Sequence, residues 1–141
     1  MKNLLKVAGA SGLLCLLSMM PAVAQIANAV DFTTAFPFYA ANTKMPAGSY
    51  RITPSSYNSQ LLLIESTTGT HSAFIEYVPT QAENGHAATD VSFKKYGTTE
   101  FLNRIWVGGQ TFGMQIEPTK VEAKLAAGAQ PEVHSVTGKG K

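Results

Sequence analysis

Q-L-L-L-I-E-S-T-T-G-T-H-S-A-F-I-E-Y-V, from Gln60 to Val78, holds two strand-like runs separated by a short turn. The first run, Gln60 to Ser66, is continuously apolar through Leu61, Leu62, Leu63 and Ile64, the pattern of a strand buried on both faces. Thr67 to Thr70 supplies the turn, and His71 to Val78 supplies the returning strand. A β-hairpin at the centre of a chain makes its neighbours the next question.

On the N-terminal side the texture is the same. K-M-P-A-G-S-Y-R-I-T, Lys44 to Thr53, is a turn thrown into a strand. Pro46 fixes φ and removes a main-chain donor, Gly48 relaxes the backbone, and Tyr50 and Ile52 alternate with Ser49, Arg51 and Thr53. Before it, D-F-T-T-A-F-P-F-Y, Asp31 to Tyr39, is a further strand whose Pro37 implies an edge or a bulge. On the C-terminal side a polar loop, Pro79 to Ala88, leads into T-D-V-S-F-K-K-Y and then into E-F-L-N-R-I-W-V, Glu100 to Val107. In that last strand simple alternation sets Leu102 and Trp106 on the face opposite Phe101, Ile105 and Val107. Gly108-Gly109 is a hairpin signal, and Phe112, Met114 and Ile116 alternate beyond it.

The pattern changes after Pro118. Thr119 and Glu122 have capping-box spacing, so T-K-V-E-A-K-L-A-A-G reads as a short helix stopped near Gly128. Val121 and Leu125 share a face that would dock on the strands. Residues 128–141 carry few apolar side chains and read as a flexible tail. The expectation is therefore an all-β domain of about seven antiparallel strands with one short C-terminal helix. A barrel is favoured over the alternative, a sandwich, because consecutive hairpins place strands up and down and closure removes exposed edges.

The first 24 residues read as a signal peptide. Lys2 and Lys6 precede an apolar run from Val7 to Met20, and Ala22-Val23-Ala24 is a small-residue cleavage site, with a second at Ala27 to Ala29. The run is too short for a comfortable membrane span, which takes about 20 residues. The mature domain is expected to start at Gln25 and to be periplasmic or extracellular, with no membrane span. Cys15, the chain's one cysteine, lies inside this segment. The mature domain then has neither disulfide nor thiolate chemistry.

The net charge of +2 is carried by Lys2 and Lys6, so the mature chain is neutral. Nucleic acid is a poor partner for a chain without a basic face. His71, His86 and His134 are scattered, which gives no metal site. No Gly-x-Ser-x-Gly elbow and no glycine-rich phosphate loop occurs, and no cofactor is expected. The strand carboxylates Glu65, Glu76 and Glu100 read as cross-strand partners of Arg51 and Arg104 on a wet face. These patterns point away from an enzyme. If the barrel keeps an interior cavity, Tyr50, Tyr77, Phe93 and Trp106 are its candidate ligand-binding walls.

Four segments taken together carry a resemblance: M-P-A-G-S-Y-R-I, the L-L-L-I-E-S-x-x-G hairpin, V-S-F-K-K-Y-G-T-T-E-F-L-x-x-I-W and the closing E-P-T-K-V-E-A-K-L-A. Over Phe32 to Ala127 the chain resembles an uncharacterised family of small exported bacterial β-rich proteins. The resemblance implies an exported β fold and no catalytic residues. The expected role is a non-enzymatic exported β-domain acting through surface contacts in the envelope or outside the cell. The rivals are a carrier of a small apolar or aromatic ligand and a subunit of an extracellular polymer joined by strand addition. Partners are thus a protein, a small apolar ligand or further copies of the chain.

Overall fold

Alternation is cleanest on the strand that follows the Gly69 turn, where Ala73, Ile75 and Tyr77 are buried while Phe74, Glu76 and Val78 face outward. Extended over the chain, that period of two builds the whole molecule. A computed structural model describes residues 29–82 and 85–140; the signal-peptide reading of residues 1–24, Cys15 included, lies outside them. The elements are β1 (Val30–Thr34), β2 (Phe38–Ala40), β3 (Thr43–Met45), β4 (Gly48–Pro54), β5 (Leu61–Ser66) and β6 (Ser72–Gln81). They continue with β7 (Asp90–Tyr96), β8 (Thr99–Trp106), β9 (Phe112–Ile116), α1 (Lys120–Gly128) and β10 (Glu132–Gly140).

Eight strands close an antiparallel ring in the order β1-β4-β5-β6-β9-β8-β7-β10 and back to β1. The fold is a barrel, not a sandwich. The β2–β3 hairpin stands outside the ring and touches β8 in parallel at Tyr39↔Phe101. Half of the ring is not up-and-down: β7, β8 and β9 follow one another, and β10 returns by way of α1 to lie beside β7. That is a Greek key, with the helix as its long connection.

The strand count exceeds seven for three reasons. Pro37 splits the Asp31–Tyr39 run into β1 and β2, the segment leading into the Pro46 turn is itself the short strand β3, and the tail is a strand. Residues 132–137 of β10 pair with β7, and residues 138–140 pair with β1. The expectation of a flexible tail over 128–141 is thereby corrected for its described residues. Composition is blind here because main-chain bonding to two neighbours orders the segment, with little apolar burial.

The interior is packed in layers. Val30, Ile52, Ile64, Ile75, Val91 and Ile105 form an aliphatic belt closed to solvent. An aromatic layer of Phe32, Phe38, Tyr50 and Phe93 lies beside it, with ring centroids 5.2–6.2 Å apart. Each aromatic pair adds about 0.5–1.5 kcal/mol beyond its area. On β5 only Leu62 and Ile64 are buried, while Leu61 and Leu63 are partly exposed on the outer wall. The two-sided burial expected of this strand is not found, because among the described residues nothing covers that wall.

A register shift between Ser92 and Phe93 changes the reading of β8. It brings Leu102 and Ile105 both into the core, while Phe101 and Trp106 are buried outside it. The simple alternation expected here fails at this bulge. The helix is capped as expected, the Glu122 amide donating to Thr119 Oγ1 at 3.2 Å. Its burial is reversed, however: Glu122 is buried and Val121 and Leu125 are exposed. Tyr39 and Tyr96 pack on Phe101 and cover that part of the outer wall without Val121 or Leu125.

Candidate functional site

The four expected ligand-binding residues fall in different surroundings. Tyr50 and Phe93 sit in the aromatic layer, where Phe32 and Phe38 fill the space between them. The Tyr50 hydroxyl donates to the Pro46 carbonyl, so Met-Pro-Ala-Gly-Ser-Tyr is a corner latched by its own tyrosine. Tyr77 donates to the Ser59 carbonyl at 2.9 Å and latches the β4–β5 loop to β6 in the same way. Burial raises both phenols above their ordinary pKa, as neutral donors require.

Trp106 is on the outer wall, stacked on His86 at 4.9 Å and 2°, with the Arg104 guanidinium 5.5 Å from the ring centroid. Gly113 lies against this ring: a Cβ there would come within 2.4 Å of Trp106 Cε3. Arg104 Nε donates to Gln115 Oε1, and Gln115 Nε2 donates to Asn103 Oδ1, so this wall is knitted by amides rather than by carboxylates. The expected strand ion pairs are rearranged. Arg51 bonds both oxygens of Asp31 at 2.7 and 2.9 Å, which raises the guanidinium pKa further.

Two imidazole–carboxylate pairs occur, of which only His86 with Asp90 has a signal in the sequence, its four-residue spacing. His134 Nε2 is 2.7 Å from Glu100 Oε2, with the rings of Phe36 and Phe93 at 5.0 and 5.9 Å. His134 was read as a solvated tail residue; pairing of β10 with β7 turns it toward the barrel instead. His86 Nε2 is 3.5 Å from Asp90 Oδ2. Burial raises the Asp90 pKa and His86 works against that rise, while Asp90 Oδ1 is buried without a hydrogen-bond partner. Each pair joins one acid to one base and spans strands or a loop, and among the described residues no three His, Cys, Asp or Glu side chains gather to hold a metal. The arrangement fastens elements together.

The remaining candidate is the outer wall of β5 and β6. Leu63 pairs across to Phe74, and Leu61 to Glu76. Phe74 is 51% exposed, Val78 42% and Tyr57 86%. The Tyr57 ring meets Phe74 edge-on at 6.3 Å. Beside them runs an open groove of roughly 690 Å3, lined by Leu61, Phe74, Ile116 and Pro118 together with the charged side chains of Glu76, Glu117 and Lys120. The adjoining arc of the ring, β4, β1 and β10, carries Asp31, Arg51, Ser49, Thr33 and Lys139, which is not the unbroken apolar girdle of a lipid-facing barrel. No helix among the described residues is long and apolar enough to cross a membrane. Comparison of the chain with protein-family models, curated proteins and solved structures returned no match.

Proposed function

We propose that this chain is an exported, non-catalytic β-barrel that works by docking another protein on the outer wall of β5 and β6. The observation that carries this reading is the contiguous exposure of Tyr57, Phe74 and Val78 beside Leu61 and Leu63. Apolar side chains exposed together on one wall mark an interaction site, whereas those exposed singly elsewhere, such as Val133, do not. Aromatic and aliphatic side chains rimmed by charged groups match the anatomy of a protein interface. The carrier reading loses support from the filled aromatic layer, which leaves Tyr50 and Phe93 in contact with other side chains rather than with a void.

The test is site-specific photo-crosslinking in the cells that make the protein. A benzophenone amino acid replaces Phe74 or Val78, and Lys44, exposed on β3, serves as the control position. Adducts of discrete mass are expected from positions 74 and 78 and not from 44. Equal labelling at all three, or none at 74 and 78, overturns the reading.

A further inference from the structure

The wall of the barrel is incompletely zipped between β1 and β10. Their ladder runs from Val30↔Gly140 to Phe32↔Gly138 and stops. Beyond it, residues 132–137 of β10 pair only with β7, while Thr33 and Thr34 pair only with β4. β1 leaves the wall because the next turn carries Phe36 inward against His134 and Phe93, at 5.0 Å from each. Thr34 Oγ1 holds that turn by donating to the Phe36 carbonyl at 2.9 Å.

The direction of the stranded main-chain groups follows from one bond. The Gly138 amide donates to the Thr89 carbonyl at 2.9 Å, on the β7 side. In a strand successive residues point their N–H and C=O to opposite edges. Lys139 therefore faces β1, as its pairing with Asp31 requires, and Thr137, Ser135 and Val133 face the same way. Among the described residues no ladder partner lies opposite these three. Beside Thr137 is a depression of roughly 350 Å3, with Phe32, Tyr50 and Val136 as its apolar lining, the hydroxyls of Thr33, Ser49, Thr67 and Thr137 around it, and the charged side chains of Asp31 and Lys139 at its zipped end.

We propose that this seam is an acceptor for one extended polypeptide segment of a partner, added as a strand along β10. A row of N–H and C=O groups at two-residue spacing is matched by another main chain in extended form. The apolar lining of the depression selects an apolar residue at alternate positions of that segment, and the rim of hydroxyls with Asp31 and Lys139 selects polar residues between them. A second barrel fits less well, because the turn through Phe36 and the zipped end of β1 flank the slot and admit a single strand more readily than a whole wall. In the ring, β10 stands four strands from β6 in both directions. The open edge of β10 thus lies across the ring from β6, and the acceptor rests on different residues from the β5–β6 wall, so either proposal can fail alone.

The test is hydrogen exchange at single amides of the folded chain. The probe is a soluble synthetic peptide alternating valine with threonine and ending in lysines. In the free protein the amides of Val133, Ser135 and Thr137 are expected to exchange fast, while those of His134 and Val136 are slow. Saturating peptide slows the first three by ~tenfold or more, equivalent to about 1.4 kcal/mol. Methylating the peptide nitrogens on one edge abolishes the effect, and methylating those on the other edge does not. Ser135→Pro removes a donor on the seam side only and is expected to weaken peptide protection at Thr137; the methylated peptides decide the matter if that variant fails to fold. Slow exchange at all five amides in the free protein overturns the proposal, as does indifference of the first three to peptide. Protection that grows with protein concentration alone also overturns it, in favour of a second copy.

Discussion

The walls of β5–β6 and of β7–β8 both turn large apolar side chains away from the barrel interior, and the chain treats them in opposite ways. On β7–β8, Tyr96, Phe101 and Trp106 are each 8% exposed or less. Tyr39 stacks on Phe101 at 5.4 Å, and His86 lies flat on Trp106. On β5–β6, Phe74 and Val78 keep roughly half of their surface in water. An outward apolar residue in a barrel is therefore either a second small core or an unfilled socket, and only the cover distinguishes them. Each square ångström left open stands for about 25 cal/mol that a partner can gain by covering it.

That contrast can be broken most forcefully at Phe101. Phe101→Ala is expected to lower stability by about 3–5 kcal/mol, read as a fall in denaturant midpoint at unchanged slope. A loss no larger than that of Phe74→Ala would show that the cover is ornamental. Next in size is Gly113→Ala. Its added carbon would meet the Trp106 ring and come within 2.9 Å of the Ile105 carbonyl, and overpacking of this kind costs about 1–3 kcal/mol. In Gly113→Ala/Trp106→Leu much of that loss should return.

A smaller effect belongs to the helix that flanks the covered wall. Burial raises the Glu122 pKa, Lys94 opposes the rise, and the charge of Glu122 helps to raise the Tyr96 phenol. The folded protein then holds the Glu122 proton more tightly than the unfolded chain does. Stability is greatest below the unfolded value of 4.5 and declines as pH climbs through the raised folded value. Glu122→Gln should flatten that decline, and Asp90, shifted in the same direction, should account for part of what remains. Thermal melts between pH 4 and 8 on the two proteins decide it; parallel curves would refute the assignment. The smallest effect on stability is expected on the bare wall: Phe74→Ser stays within about 0.5 kcal/mol, yet a photo-crosslinker at position 78 should lose its adducts in that variant.

The contrast also marks where sequence reasoning reached and where it stopped. The hairpin of β5 and β6, the strand after Pro46 and the Thr119 cap were legible because each depends on neighbours a few residues away. The bulge beside Ser92 was not, since one extra residue in a ladder leaves no local signature, and it reverses the facing of Phe101. Nor was β10: a strand held by main-chain bonds to β7 along residues 132–137 and to β1 along residues 138–140 needs no apolar pattern of its own. Of the bare wall, the composition of Leu61, Leu63, Phe74 and Val78 was visible. Its bareness was not, because that depends on where β2, β3 and α1 travel. The opposite error occurred at Tyr50, Tyr77 and Phe93, where aromatic richness was read as a possible pocket lining and is used as packing.

The zipped end of the seam has a consequence in time. Val30 pairs with Gly140, 110 residues further along the chain. Until β10 has been made, the other seven strands form an open sheet with β1 and β7 as raw margins, and the acid–base pair of Glu100 and His134 cannot assemble. Contacts this remote in sequence slow folding into the range of milliseconds to seconds. A folding chain therefore passes through a stage at which it is a ring that has yet to meet its own end.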